Sequence, residues 1–462
     1  MMQRRVSGIT KSHFICEKPK ALSNNYTNVK KIATANFGDL YSVFHVPSQS
    51  TRCLKTYDKE KLKSTNQNQF EEEINLIRTL DHPNIFKIYE FFQDSKMFYL
   101  VSEYLQGGEL FGFITTHKNF SEKTVCTIME QVLSAVNYLH LHGVLHRDLK
   151  PENIMLAEKD NINSIKLIDF GTSKYFDKDQ KLTAPIGTCY YMAPEMIKRN
   201  YDERIDIWAC GIIMYILLVG YPPFNGQTDL DIFKSIIHRP LIFDRDDWKD
   251  ITPGAINLLM GMLEKDPDCR IDLQSIFKHN WFKRNFKIKA LNNSRTVLKR
   301  LKKFSSNTKL ENAIRIFLIQ CYDLNNEKEQ LLQFFKEADK NHDGMLDPEE
   351  IKYICEKCKF DLNVSDFIKS ADVNCDGNIN YSEFLMAAVN FKKQNGKQLV
   401  IDLFKSIDED NSGYINREEL SKFLNLDYND PLITELFEEA DINKDNKLTM
   451  DEFLSDLVNL YK

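Results

Sequence analysis

Oxygen-bearing residues recur in a fixed pattern four times in the last third of the chain, and the repeat leaves few folds open. The repeats begin at Asp339, Asp372, Asp408 and Asp441, spaced by 33, 36 and 33 residues. The first places Asp339, Asn341, Asp343 and Asp347 at positions 1, 3, 5 and 9, Gly344 at position 6 and Glu350 at position 12. The second offers Asp372, Asn374, Asp376, Asn380 and Glu383 around Gly377, and the third Asp408, Asp410, Ser412, Asn416 and Glu419 around Gly413. The fourth has Asp441, Asn443, Asp445, Thr449 and Glu452, with Asn446 in place of the glycine. A calcium ion takes six to eight oxygens, and a loop this short wraps them around it only if position 6 turns sharply. Position 7 supplies a backbone carbonyl, here from Met345, Asn378, Tyr414 and Lys447, and the final Glu supplies both its oxygens. Asn446 is an acceptable turn residue because Asn enters the left-handed region more readily than other residues with a Cβ.

Position 8 is apolar in every repeat: Leu346, Ile379, Ile415 and Leu448. Such residues suit a short strand by which two loops pair. The pattern resembles EF-hands, which implies an all-α, calmodulin-like domain of two lobes, 327–394 and 395–462. Calcium binding alone does not make a sensor, since buffers use the same loops and only sensors open a groove.

At 462 residues the chain exceeds what one core holds. A composition of 42% hydrophobic and 28% charged residues is that of a globular protein. The net charge of −6 is uneven: Lys283 to Phe304 holds nine Lys or Arg and no acid, while the last third is acidic. Ten scattered cysteines without a secretory signal imply reduced thiols and a cytoplasmic location. The Cys355-x-x-Cys358 pair has no second pair beside it and reads as helix surface. The apolar run Ile207 to Gly220 is too short to span a bilayer and reads as a buried helix. Met1-Met2-Gln3 lacks the glycine needed for myristoylation, so no membrane anchor is expected, and no nucleic-acid partner either.

Upstream lies "HRDLKPEN", His146 to Asn153, followed by "DFG" at Asp169 to Gly171 and "APE" at Ala193 to Glu195. With "DIWACG" around Asp206 and "DPDCR" ending at Arg270, these separated motifs make residues 26–282 resemble a protein kinase of the calcium- and calmodulin-regulated group. The resemblance implies that Asp148 takes or orients the proton of the attacking hydroxyl and that Lys150 neutralises charge on the moving phosphoryl group. It also implies that Asn153 and Asp169 hold magnesium. Lys150 resembles serine/threonine rather than tyrosine kinases. Glu195 is expected to pair with Arg270, and Asp206 to anchor the catalytic loop.

In the small lobe, 26–102, Lys55 ends "RCLK" where the family grips the ATP phosphates, and Glu73, 18 residues on, is its expected ion-pair partner. The family's glycine-rich loop falls on "KKIATANFGDLYSV": after Ile32, Ala33 and Ala35 replace two glycines, Phe37 fills the tip, Gly38 is the third glycine and Leu40 replaces valine. A methyl group is the smallest intrusion that opposes close approach of backbone to phosphate, so weaker or reshaped nucleotide binding is expected. In "FYLVSEYLQGGELF", Ser102 is the small gatekeeper, and Glu103 and Leu105 supply hinge groups for adenine. In the large lobe, 103–282, Glu109 also borders this pocket, and Glu109 with Glu152 resembles the acids that select a basic residue before the target Ser or Thr. Thr183 in the activation segment is a candidate phosphosite, and Asp177 or Asp179 offers Arg147 an anionic partner without it.

Between the two parts, residues 283–326, Val297, Leu301 and Phe304 form an apolar stripe among Lys299, Arg300, Lys302 and Lys303, continued by Leu310, Ile314 and Phe317. Ser306, three residues after Lys303, is a second candidate phosphosite. A kinase, a basic amphipathic junction and four calcium loops in this order resemble the calcium-dependent protein kinases of plants and protists. The expected fold is an α+β bilobal kinase followed by the EF-hand domain, after an extension, 1–25, that matches nothing. The resemblance implies a monomer using ATP, Mg2+ and Ca2+, whose junction restrains the kinase until calcium-loaded lobes grasp it. Two alternatives stand beside it: a catalytically impaired pseudokinase acting as a calcium-sensing scaffold, and a constitutive kinase carrying a calcium buffer.

Overall fold

The computed structural model describes residues 17–18, 26–35, 38–46, 48–63, 67–117, 120–177, 181–285, 294–304, 308–321, 327–391, 396–424 and 426–460. With β1 (Glu17–Lys18), alternating residues of β2 (Tyr26–Ala35), β3 (Gly38–His45), β4 (Ser50–Asp58), β5 (Ile88–Gln93) and β6 (Met97–Glu103) build one twisted sheet in the order β1-β5-β6-β4-β3-β2. Its far edge, β1, pairs parallel to β5, so the extension lends a strand to the small lobe. One face packs Phe91, Phe98 and Leu100 against Phe70, Ile74 and Ile77 of helix α2 (Gln67–Thr79), which follows the short α1 (Lys59–Lys63). The other face gathers Tyr26, Val43, Leu54, Phe92 and Val101, where buried Arg52 bonds to the Tyr26 hydroxyl at 3.3 Å and to Glu90 at 3.4 Å.

After Glu103 the chain turns into α3 (Leu110–Thr116) and α4 (Glu122–Leu141). Ser121 caps α4 by accepting the Thr124 amide at 3.1 Å, and from Val125 to His140 nearly every side chain of the helix is buried, so it forms the axis of the large lobe. The apolar run expected as a buried helix is the inner part of Arg204–Val219, which ends on Gly220 in the left-handed conformation (φ +87°), the usual device for stopping a helix. Glu195 and Arg270, 75 residues apart, meet below it in a buried ion pair, Nη2 to Oε2 2.9 Å.

The second core belongs to the C-terminal half. Met345–Leu346 pairs antiparallel with Ile379–Asn380, and Tyr414–Ile415 with Leu448–Thr449, coupling the four loops in two pairs through their apolar position 8. The junction helices Ser294–Lys303 and Lys309–Cys321 lie inside this core: Val297, Leu298, Leu301, Leu310 and Ile314 are buried among the EF-hand helices, with Phe304 and Phe317 partly so. Both amphipathic stripes therefore face the calcium lobes. Arg300 reaches Glu327 at 2.8 Å and the Ala388 carbonyl at 2.9 Å, which fixes the first junction helix to the first lobe. Cys355 is buried in this core rather than on a helix surface, and burial pushes its thiol up to about 11, ill suited to metal or redox chemistry. Among the described residues eight cysteines are free, and no helix is long and apolar enough to cross a membrane.

Candidate active site and calcium loops

The catalytic loop is held from behind by a single carboxylate. Asp206 accepts the His146 amide at 3.0 Å and the Arg147 amide at 3.1 Å, and meets His140 Nε2 at 2.9 Å. Arg147 adopts a left-handed φ of +71°, an uncommon conformation for a residue with a Cβ, held by these bonds. The loop thereby presents Asp148, Lys150 and Asn153 together: Lys150 Nζ lies 2.6 Å from Asp148 Oδ2, and the Asn153 amide donates to the Asp148 carbonyl at 2.8 Å and to Oδ2 at 3.2 Å. Burial would raise the Asp148 pKa, but the bonds from Lys150 and Thr188 hold it below the usual carboxylate range. Asn153 spends its amide nitrogen on Asp148, which leaves its oxygen as the atom suited to a metal ion.

Thr188 was not singled out from sequence. Its amide and hydroxyl donate to Asp148 Oδ1 at 3.0 and 2.9 Å, and Lys150 Nζ donates to its Oγ1 at 2.9 Å. The signal available was the pair Gly187-Thr188 just ahead of the APE motif: Gly187, at φ +121°, leaves only 2.7 Å between a built Cβ and the Arg147 carbonyl, so the segment can run flush against the catalytic loop.

Asp169 also has a left-handed φ, +63°, and its Oδ1 accepts the Gly171 amide at 3.2 Å. The Lys55–Glu73 ion pair expected from sequence is not closed. Among the described residues Lys55 has no carboxylate within salt-bridge distance; its ammonium lies over the Tyr57 ring, 4.8 Å from the centroid. The reason is strand geometry, since Tyr57 sits two residues on, on the same face of β4, and its ring covers the ammonium. Glu73 stands instead near Gly171, where a built Cβ would come 3.4 Å from its carboxylate oxygen. Burial raises Glu73 to about 7, with Lys55 opposing and Asp169 adding to the rise; for Lys55, burial is outweighed by Tyr57, Glu73 and Asp169, which hold it above its usual range.

The nucleotide strands leave Ile32 and Ala33 exposed, with Ala33 opposite Leu40 and Ala35 opposite Gly38 in the hairpin register. Phe37 lies outside the described residues. Gly38 has a steric role of its own: a Cβ there would lie 1.9 Å from the Thr56 carbonyl. Ser102 faces Cys53 across β4 and β6. Glu103 commits its carboxylate to Lys166 at 2.9 Å and the Lys87 amide at 2.7 Å, and its own amide to the Lys87 carbonyl at 2.9 Å, so its backbone carbonyl is the group left for a nucleotide. Leu105 is half-buried beside it. Glu109 is exposed at the start of α3; Glu152 has one carboxylate oxygen, Oε2, buried without a hydrogen bond among the described residues. Thr183 is exposed. Arg147 donates through Nε to the Thr172 carbonyl at 2.6 Å; Asp179 and Ser306 lie outside the described residues.

All four calcium loops share one turn. Position 6 is left-handed in each, at Gly344 (φ +77°), Gly377 (+87°), Gly413 (+84°) and Asn446 (+61°). Positions 9 and 12 cap the outgoing helix reciprocally, as Asp347 with Glu350, Asn380 with Glu383, Asn416 with Glu419 and Thr449 with Glu452. The residue that closes the loop thus also starts the helix. Carboxylate oxygens of Asp339, Asp343 and Glu350 lie within 4.8 Å of one another, as do those of Asp408, Asp410 and Glu419. Burial, then neighbouring acids, pushes Asp339 up and Glu350 to about 7; burial does the same to Glu383, to about 8. An all-oxygen, acidic set of this kind fits a hard divalent cation.

A bilobal fold with this loop at its cleft and two coupled pairs of calcium loops defines the class: a protein kinase joined to EF-hand pairs. The protein kinase domain family matches residues 26–282, and the EF-hand domain pair matches 328–388 and 398–457. The chain belongs to the calcium-dependent protein kinases. It is 34% identical to calcium-dependent protein kinase 4 of Plasmodium berghei over 97% of this chain and 89% of that one. It is 35% identical to calcium-dependent protein kinase 5 of Plasmodium falciparum (92% and 76%) and 31% identical to calcium-dependent protein kinase 7 of Arabidopsis thaliana (94% and 83%). The protein is thus an ATP-using phosphotransferase with calcium-binding EF-hands, and the comparisons lend nothing to the pseudokinase alternative.

Proposed function

We propose that the protein is a calcium-activated serine/threonine kinase that phosphorylates proteins with a basic residue ahead of the target hydroxyl. Asp148 takes the hydroxyl proton, and Lys150 and Thr188 hold its carboxylate in place. Lys55 grips the ATP phosphates in the cleft. Asn153 and Asp169 are the residues that would hold magnesium, which when bound neutralises phosphate charge. The half-hidden carboxylate of Glu152, with Glu109 at the cleft edge, suits a guanidinium or ammonium on the substrate.

The observation that carries the regulatory reading is the burial of both junction stripes in the EF-hand core. The apolar faces held there are not free to pack on the kinase, which the second junction helix touches only through polar atoms, Lys87 Nζ donating to the Ile319 carbonyl at 2.8 Å, among the described residues. In the calcium-free state, lobes with a weaker hold would surrender the junction to the cleft; calcium acts because loaded and empty lobes bind it with different affinity. The enzyme is taken to work as a cytoplasmic monomer, with residues 283–326 as the regulatory junction. The test is transfer of phosphate to a basic peptide, titrated against free calcium. Activity should be low with chelator and rise with calcium; equal rates would favour the constitutive kinase with a calcium buffer.

A further inference from the structure

The four loops share a turn but not an environment. Gly377 and Gly413 have nothing within 4 Å of a built Cβ, and the position 4 residues Cys375, Asn411 and Lys444 are exposed. The first loop is different, because its turn is pressed onto the kinase domain. A Cβ on Gly344 would lie 2.4 Å from His82 Cδ2 and 3.0 Å from Tyr138 Cδ2. Asn137 of α4 donates its amide to the His342 carbonyl at 2.8 Å and to the Asn341 carbonyl at 3.4 Å. Gln274 donates to the same Asn341 carbonyl at 3.3 Å. The His342 ring stacks on Phe277 with centroids 4.3 Å apart and planes 20° apart. Glu130, buried on α4, faces His342 Nδ1 at 3.4 Å and Lys336 Nζ at 3.6 Å.

The receiving surface is held by bonds within the kinase domain itself. His82 is fixed by Ser134 Oγ at 3.1 Å and by the Asn84 amide at 3.0 Å, and Tyr138 by the Asp81 amide at 2.8 Å. It reads backbone carbonyls at positions 3 and 4, which stand in this arrangement only while the turn is formed. A bound cation enforces that turn by tying positions 1, 3, 5, 7, 9 and 12 to one centre. Burying the carboxylates of Asp339, Asp343 and Glu350 against protein is also costly unless a cation balances them. Docking and ion binding therefore favour each other.

We propose that the first calcium loop is a docking element: the surface made by His82, Asn137, Tyr138 and Phe277 binds its turn and so raises its affinity for calcium, while the third and fourth loops, facing solvent, answer to calcium alone. Linkage requires that calcium in the first loop tighten the contact between lobe and kinase by the same factor. The inference rests on the proposed reading that these loops hold calcium in the working enzyme.

The test is hydrogen exchange by mass spectrometry on the full chain across a free-calcium titration, following peptides that cover 339–350 and 408–419. Phe277→Ala should raise the calcium midpoint for protection of the first loop by about fivefold or more, the lower end of typical coupling between sites, and leave the third unchanged. Phe277 also packs on Phe282, so Asn137→Ala, which deletes only the amide, gives a second reading and should shift the first loop in the same direction. No shift at the first loop in both variants, or an equal shift at the third, overturns the proposal. Peptide phosphorylation measured on the same samples separates the two claims. Activity indifferent to calcium with the loop-specific shift intact would remove the functional reading and leave the docking element standing.

Discussion

The catalytic loop and the nucleotide strands face each other across the cleft, yet they are held in different ways. In the loop, residues bond one another: Asp206 ties down His146 and Arg147, and Lys150, Asn153 and Thr188 converge on Asp148. In the strands, Ile32 and Ala33 are exposed, Lys55 rests on a tyrosine ring, and the ties gather at Asp39, in bonds with Thr56 and Tyr41 at 3.0–3.2 Å and a surface ion pair with Lys31 at 2.7 Å, of a kind worth little. Geometry closed by the chain's own side chains is rigid and intolerant of change. Geometry that depends on a single lysine and an exposed strand, β2, tolerates substitutions such as alanine for glycine.

The largest effect should come from the closed side. Asp148→Asn keeps the shape and the bond to Thr188 but removes the proton acceptor, and kcat for peptide phosphorylation should fall by about 10²–10⁴-fold, the usual worth of a positioned base, with the thermal midpoint little changed. A mutant that unfolds would move Asp148 from chemistry to structure. Next is the scaffold beneath it. Glu195→Ala leaves Arg270 buried without its anion, and should cost about 3–5 kcal/mol of stability, seen as a lower thermal midpoint; a loss of activity without loss of stability would refute the structural role.

A smaller effect tests the open side. Glu73 is raised to about 7 by burial, above the 4.5 of an ordinary glutamate. The folded state then binds more protons than the unfolded one between these values. Stability from this group is therefore full below about 4.5 and is lost as pH rises through about 7. Glu73→Gln removes the titration, so the variant should gain on the parent between pH 5 and pH 8, by about 2–4 °C in thermal midpoint per kcal/mol of the effect. A parallel pH dependence of the two proteins would mean that Glu73 is solvated or paired with Lys55 after all.

What could be read in advance follows the same division. The calcium loops, the catalytic loop and the buried helix at Arg204–Val219 carry their partners in nearby or strongly patterned sequence, whereas the Glu195–Arg270 pair, 75 residues apart, was reachable only through the family resemblance. The apolar stripe of the first junction helix was legible at Val297 and Leu301 but not at Leu298, which is equally buried because the helix is held on more than one side. The strand at Glu17–Lys18 gave no signal, since two residues carry no period. Tyr57 over Lys55 and Thr188 on Asp148 depend on how separate segments cross, and so does the seat of Gly344 on the kinase domain. Nothing in the loop pattern distinguishes the first repeat from the others, because a docking partner leaves no mark on a motif already fixed by its ion.

The smallest effect concerns the alanines. Restoring glycine at both positions (Ala33→Gly with Ala35→Gly) lets the strand end approach a phosphate more closely, but each glycine costs about 0.5–1 kcal/mol in a strand. The two terms oppose each other, so the readouts must be separated. KM for ATP should fall by about fivefold, as one backbone hydrogen bond worth about 1 kcal/mol would give, with kcat unchanged, because ground state and transition state gain alike. The thermal midpoint should fall slightly in the same protein. A KM that stays put while the midpoint falls would mean that the methyls never opposed the nucleotide. The steric demand would then rest on Gly38 alone, whose place against the Thr56 carbonyl admits no side chain.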